Sequence, residues 1–360
     1  MGTGTDHGHS RPQQAVSVAV SRPGDLMAAE MAEQPERLAA LAGRAGALAE
    51  RVRAVVPEPL AGVAIAARGS SDHAAAYGRY LIEPAARRPL SFTSPSVFTL
   101  YRAELDLRGY LAVGISQSGR TPEIVATLSE LRRTGASAVA ITNDPESELA
   151  AGADAVLDLG VGPERAVPAT KTVTAQMVAL AVLARGLGAT PYSDVELGAL
   201  PDVVAAALAD PEPAQEAAER LAGTKRLVVA ARGMLYGAAL ETALKIKETC
   251  GILADGFSSA DLRHGPLAAV DAEVPVLAIS APGPAEEDMA DLVELLRGRG
   301  VPVLTMSPST ASDLPLPGGL PESLAPVVAV VRAQQLAHAM ALRLGLDPDQ
   351  PQGLSKVTMT

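Results

Sequence analysis

The sequence contains no tryptophan, only three phenylalanines, and a single cysteine in 360 residues. One cysteine, Cys250, excludes an intrachain disulfide framework and any cysteine-based zinc cluster. Its position beside a helical pattern reads as a small apolar filler. So few aromatics leave little on which nucleic-acid bases could stack. Positive charge is also short. The net charge is −11 and the pI near 5.0, whereas binding a phosphodiester backbone requires dense Lys and Arg. Nucleic acid is therefore not an expected partner. A small anion is still compatible, because it needs only a local nest of donors. No apolar run reaches the roughly 18 residues of a spanning helix. The opening MGTGTDHGHSRPQQ has neither the apolar core of a signal peptide nor an arginine-rich amphipathic helix. The expected setting is the cytoplasm, with no membrane partner.

Lysine is scarce as well. Of the 30 basic residues only Lys171, Lys225, Lys245, Lys247 and Lys356 are lysines. An ammonium can act as acid, base or imine-forming amine where a guanidinium cannot, so each merits scrutiny. Lys225, between Thr224 and Arg226, reads as chance placement in a loop.

What the chain does have is 48% hydrophobic residues, ordered in an alternating pattern. Residues 1–23 are polar and read as a disordered tail, and 24–55 carries apolar residues at helical spacing. Short apolar runs at 62–67, 110–115, 138–142, 154–159, 226–231, 275–279 and 301–305 read as strands. Helical stretches such as 121–135, 171–187, 235–250 and 285–298 lie between them, the pattern of parallel α/β sheets. A repeat is also visible. Ala67-Arg68-Gly69 maps onto Ala231-Arg232-Gly233, and the same offset of 164 maps Ile115-Ser116 onto Ile279-Ser280 and Glu130-Leu131 onto Glu294-Leu295. The expectation is two copies of one α/β domain, 24–200 and 201–345, followed by a C-terminal tail, 346–360.

The loop Ser116-Gln117-Ser118-Gly119-Arg120-Thr121 follows a strand and opens a helix, where hydroxyls and backbone amides form an anion site. Helix capping by Ser118 or Thr121 explains one hydroxyl but not the whole cluster. The second copy carries Ser280-Ala281-Pro282-Gly283-Pro284 at this place, so one phosphate site, in the first half, is expected. Ser70 and Ser71, in the turn Arg68-Gly69-Ser70-Ser71-Asp72-His73, can converge on the same ligand. His73 reads as a helix-start residue. A third polar loop, Val167 to Thr172, precedes a helix, and for its Lys171 solvent and ligand are equal readings. In the second copy Lys245 and Glu248 stand three apart on one helix face, ordinarily the spacing of a surface ion pair. The loop Asp261-Leu262-Arg263-His264-Gly265-Pro266 then adds a histidine. Glutamate and histidine are the two groups a sugar isomerase needs, one to move a proton between adjacent carbons and one to open the ring. Two prolines, Pro348 and Pro351, stiffen a tail with Lys356 near its end, which suggests that the tail docks.

Together RGSSDHA, SQSGRTPE, VPATKT, ALKIKE, LRHGP and DPDQPQGLSKVT resemble the sugar-isomerase (SIS) family, specifically the isomerase half of glucosamine-6-phosphate synthase and, more closely, stand-alone SIS-type glucosamine-6-phosphate deaminases. The resemblance implies two tandem SIS domains of flavodoxin-like αβα architecture. It assigns Ser70, Ser71, Ser116, Gln117, Ser118, Thr121 and Val167 to phosphate and sugar. It makes Glu248 the base, His264 the ring-opening residue, Lys356 a neighbour of the open-chain carbonyl, and Lys245 a support. It further implies a homodimer in which the histidine loop crosses to the partner, with no metal or redox cofactor. The synthase's amidotransferase nucleophile has no counterpart, since position 2 is Gly2 and Cys250 is internal; Ala169 and Gln352 also depart from the synthase pattern. The expected reaction is glucosamine 6-phosphate to fructose 6-phosphate and ammonia. The same residues would serve a dehydratase or lyase acting on the N-acetylated sugar, and a sugar-phosphate-sensing module without turnover is the third reading.

Overall fold

The computed structural model describes residues 22–356. The polar stretch up to residue 21, read above as a tail, and the last four residues lie outside them. The helical pattern of 24–55 resolves into three helices, α1 (Asp25–Ala32), α2 (Gln34–Gly43) and α3 (Ala45–Arg53). The first unit then runs β1 (Gly62–Ala66), α4 (Ser70–Ala86), β2 (Leu90–Phe92), α5 (Pro95–Thr99), β3 (Tyr110–Ile115), α6 (Pro122–Arg133), β4 (Ser137–Thr142), α7 (Glu148–Ala151), β5 (Ala155–Asp158) and α8 (Lys171–Leu187). Two connecting helices follow, α9 (Asp194–Ala209) and α10 (Glu212–Leu221). The second unit runs β6 (Arg226–Ala231), α11 (Tyr236–Cys250), β7 (Leu253–Ser258), α12 (Ser259–Arg263), β8 (Val276–Ile279), α13 (Glu286–Gly298), β9 (Val303–Ser307), β10 (Leu314–Pro315) and α14 (Ala325–Arg343).

Both sheets are five-stranded and parallel, ordered β2-β1-β3-β4-β5 and β10-β9-β8-β6-β7. Under the 164-residue offset β1 corresponds to β6, β2 to β7, β3 to β8 and β4 to β9. The two orders are thus one topology, the doubly wound arrangement whose ligands sit at the carboxyl ends of the strands. The expected α/β fold with an internal duplication is what the chain adopts. α9 runs unbroken through position 200, where the sequence reading divided the halves.

Apolar side chains from the facing sides of both sheets join α4, α8, α11 and α14 in one continuous core, and each sheet's outer face has a smaller core of its own. α4 and α11, equivalent helices of the two copies, pack directly on each other. Gly237 permits the approach, since a Cβ there would come within 2.7 Å of the His73 carbonyl oxygen and the Tyr77 amide. This seam places the first turn of α4 against the charged face of α11.

Candidate active site

The nest forms where β3 gives way to α6. Gly119 takes φ 63°, a left-handed turn, and a Cβ there would strike Ser147 and Thr142. The turn brings Ser116 and Thr121 together, their hydroxyls 3.0 Å apart, while Ser116 Oγ also accepts the Gly119 amide at 3.2 Å. Thr121 stands at the N-cap of α6 without capping it, so its hydroxyl faces the loop. Ser118 Oγ accepts the Arg120 amide at 3.2 Å. Across from this loop Gly69 and Ser71 close a cavity of about 350 Å³, lined also by Arg68, Gln117 and Lys356. The equivalent turn of the second copy is different. Gly283 lies against the carboxylate of Glu322, an acidic neighbour that opposes an anion.

The second element is a buried row of charges on α11. Glu241, Lys245 and Glu248 recur at helical spacing on one face. Glu241 is 1% exposed and accepts hydrogen bonds from Ser70 Oγ at 2.9 Å and His73 Nδ1 at 2.9 Å, both from α4. Lys245 is fully buried, 3.4 Å from Glu241 and bonded to Glu248, whose side chain keeps about a fifth of its surface open at 21%. Burial alone pushes the Glu241 carboxyl up, but Lys245, His73 and Ser70 outweigh it and hold it below its ordinary 4.5. For Lys245, burial favours the neutral amine; Glu241 and Glu248 overcome this and raise it above its ordinary 10.5. Glu241 and Lys245 are therefore both ionised at neutral pH.

The third element is the tail. Lys356 Nζ donates to Glu164 Oε2 at 2.8 Å and to the Ala166 carbonyl at 2.7 Å. Glu164 is buried and also accepts the amides of Thr170 and Thr172 and the Thr172 hydroxyl. Burial pushes its carboxyl up, and the charge and hydrogen bond of Lys356 turn the balance, leaving it below 4.5. Glu164 also lies close enough to Lys245 for its charge to favour the protonated amine. Cavity, tail lysine and α11 row are thus joined by alternating charges.

The structure gathers Ser71, Ser116, Gln117, Ser118, Thr121 and Lys356 around one cavity. Ser70 instead turns to Glu241, and Val167 contributes its amide to the Asp349 carbonyl at 3.0 Å. Lys245 and Glu248 lie on the second unit and do not line the cavity. His264 is exposed in the loop after α12 and does not line the cavity. Lys171 is buried and bonded to Glu33 at 2.9 Å, so the solvated reading and the ligand reading both give way to a structural ion pair. Sequence reasoning missed Glu241, His73 and Glu164. A signal existed for Glu241, four residues before Lys245 on the same face. Glu164 had none, since its partner is 192 positions away.

The SIS-domain family model matches residues 62–185 and 220–315. The glutamine–fructose-6-phosphate aminotransferase (isomerizing) of Gloeobacter violaceus is 36% identical over 310 residues, covering 81% of this chain and 51% of that protein. The chain thus spans about half the length of the curated relatives it matches. A solved structure from Silicibacter pomeroyi DSS-3, provisionally called a phosphosugar isomerase, superposes with TM-score 0.79 at 32% identity, over 90% of this chain and 99% of that one. The C-terminal domain of glucosamine-fructose-6-phosphate aminotransferase from Francisella tularensis gives TM-score 0.82 at 28% identity, over 90% and 98% of the two chains.

Proposed function

The chain belongs to the SIS-domain family, and from that premise we propose that it deaminates glucosamine 6-phosphate by an aldose-to-ketose isomerisation. The observation that carries this reading is one cavity in which the Ser116, Ser118 and Thr121 hydroxyls meet the Lys356 amine, linked through Glu164 to the charged row of α11. The nest holds the 6-phosphate, and that remote binding energy positions the reacting carbons. His264 opens the ring. Glu248 takes the proton from carbon 2 and returns it to carbon 1 through an enolamine, which leaves an imine at carbon 2. Water adds to that imine and ammonia departs, so that glucosamine 6-phosphate plus water gives fructose 6-phosphate plus ammonia. Lys356 lies where the open-chain carbonyl forms, and Lys245 orients Glu248. Incubation with glucosamine 6-phosphate should release ammonia and fructose 6-phosphate in equal amounts. An ultraviolet-absorbing unsaturated product from the N-acetylated sugar, with no ammonia from the free amine, would make the protein a dehydratase instead.

The exposed position of His264 supports a homodimer in which the histidine serves the partner's cavity. Mixing two inactive variants, His264→Ala and Glu248→Gln, should then restore activity, because one hybrid site receives both intact residues. Mixed dimers that form and stay inactive would assign the histidine to its own chain.

A further inference from the structure

Helix α1 carries none of the groups discussed so far, yet three separate contacts tie it to the lysine of the tail. Its N-cap is Gly24, at φ 84°, with no side chain to satisfy the first amides. The cap comes from the other end of the chain. Asp349, 3% exposed, accepts the Met27 amide on Oδ1 at 2.8 Å and the Leu26 amide on Oδ2 at 3.0 Å. Asp347 Oδ1 accepts the amides of Gly24 at 3.2 Å and Asp349 at 3.0 Å. A carboxylate so placed satisfies two orphan donors and the positive end of the helix together.

The same helix holds the receiving loop. Glu30, in its last turn, is buried and accepts the amides of Arg165 and Ala166. Ala166 then presents its carbonyl, and Glu164 its carboxylate, to Lys356 Nζ. A further bond runs from the Val167 amide to the Asp349 carbonyl at 3.0 Å. The root of the tail and the acceptors of its lysine are therefore registered against one short helix. Between them Pro351 is buried while residues 352–355 form an exposed arch that adds little burial of its own. The placement of the lysine accordingly depends on where the tail is rooted.

We propose that Asp349, through the first turn of α1, is the positioning residue that sets Lys356 at the cavity. The proposal rests on the reading of Lys356 as an active-site group. A side chain displaced by about an ångström at a reacting centre loses about 10²-fold in rate even when binding is intact. Asp349→Asn keeps the shape, removes the charge from the helix start and turns one acceptor toward the amides as a donor. It should lower kcat on glucosamine 6-phosphate about 10–100-fold while KM stays nearly constant. In a double-mutant cycle with Lys356→Ala, the Asp349 substitution should cost little once the lysine is gone.

A second readout is independent of turnover. Modification of Lys356 by trinitrobenzenesulfonate, followed by peptide mass spectrometry, should proceed several-fold faster in Asp349→Asn than in the unaltered protein. Unchanged turnover in Asp349→Asn beside an inactive Lys356→Ala overturns the proposal, as does additivity in the cycle. A fully active Lys356→Ala removes the active-site reading of the lysine instead; the modification rate then decides positioning alone, and an unchanged rate overturns it. Should Asp349→Asn fail to fold, Asp349→Ser, which keeps an acceptor for one amide, is measured in the same way.

Discussion

Replacing Glu248 by glutamine is expected to lower kcat on glucosamine 6-phosphate about 10²–10⁴-fold, the usual cost of losing a general base. Competition by inorganic phosphate should be unchanged. The separation follows from geometry: the proposed phosphate nest belongs to the β3–α6 and β1–α4 turns of the first unit, while Glu248 stands on α11 of the second and does not line the cavity. Glutamine also preserves an acceptor for Lys245, so a collapse of the row would not confuse the result. A variant with full turnover would mean that another group takes the carbon 2 proton. Glu241 would then be tested next, since it faces the same lysine.

The largest expected effect on stability is that of Lys245→Met. A fully buried cation between two carboxylates cannot be removed without leaving a buried anion short of its fixed countercharge, and Glu241, at 1% exposure and then held only by Ser70 and His73, is the one left. The unfolding free energy should fall by about 3–5 kcal/mol in a denaturant titration. Adding Glu241→Gln should recover part of that loss, because the uncompensated charge disappears with it. A Lys245→Met protein as stable as the parent would show that water reaches the row. The pH dependence has a definite sign. Glu241 is depressed in the folded state, so its contribution is present above its unfolded value near 4.5 and is lost as the pH falls below it. Lys245 is raised, so its contribution is complete below 10.5 and persists until the pH passes its higher folded value. The stability difference between the parent and the double variant should therefore shrink on acidification and hold well into the alkaline range.

Much of the architecture was legible because it is written in local periodicity. α8 begins and ends where the apolar pattern places it, and the matched turns at Gly69 and Gly233 announced the duplication before any sheet was seen. The strands that escaped notice lack that signal. β2 has three residues, β7 contains Asp255 and Gly256 in the segment LADGFS, and β10 has two residues, one of them proline. Each lies at the edge of its sheet and is defined by the neighbour it pairs with rather than by its own composition. The site divides the same way. The nest is contiguous in sequence and was read directly, and so was the Lys245–Glu248 pair at helical spacing. Lys171 could not be settled from the sequence because Glu33, the carboxylate that pairs with it, lies 138 residues away. The capping of α1 by Asp349 was invisible for the same reason: a proline and a glycine before Asp25 announce a helix start, but the residue that completes it arrives from the opposite end of the chain.

The close crossing of α4 and α11 at Gly237 bears on how a ligand would enter. Two-lobed enzymes commonly admit ligands by swinging their lobes apart on a hinge, and such a hinge needs an interface that can part without exposing a core. Here the lobes share one apolar interior, their helices touch backbone to backbone, and the Glu241 carboxylate is satisfied by Ser70 and His73 from across the seam. Parting them would uncover that interior and strand a buried charge in a single step. Packing and charge together therefore oppose a hinge at this seam. On the proposed function, residues 352–355, exposed ahead of Lys356, are the part expected to yield when a ligand enters.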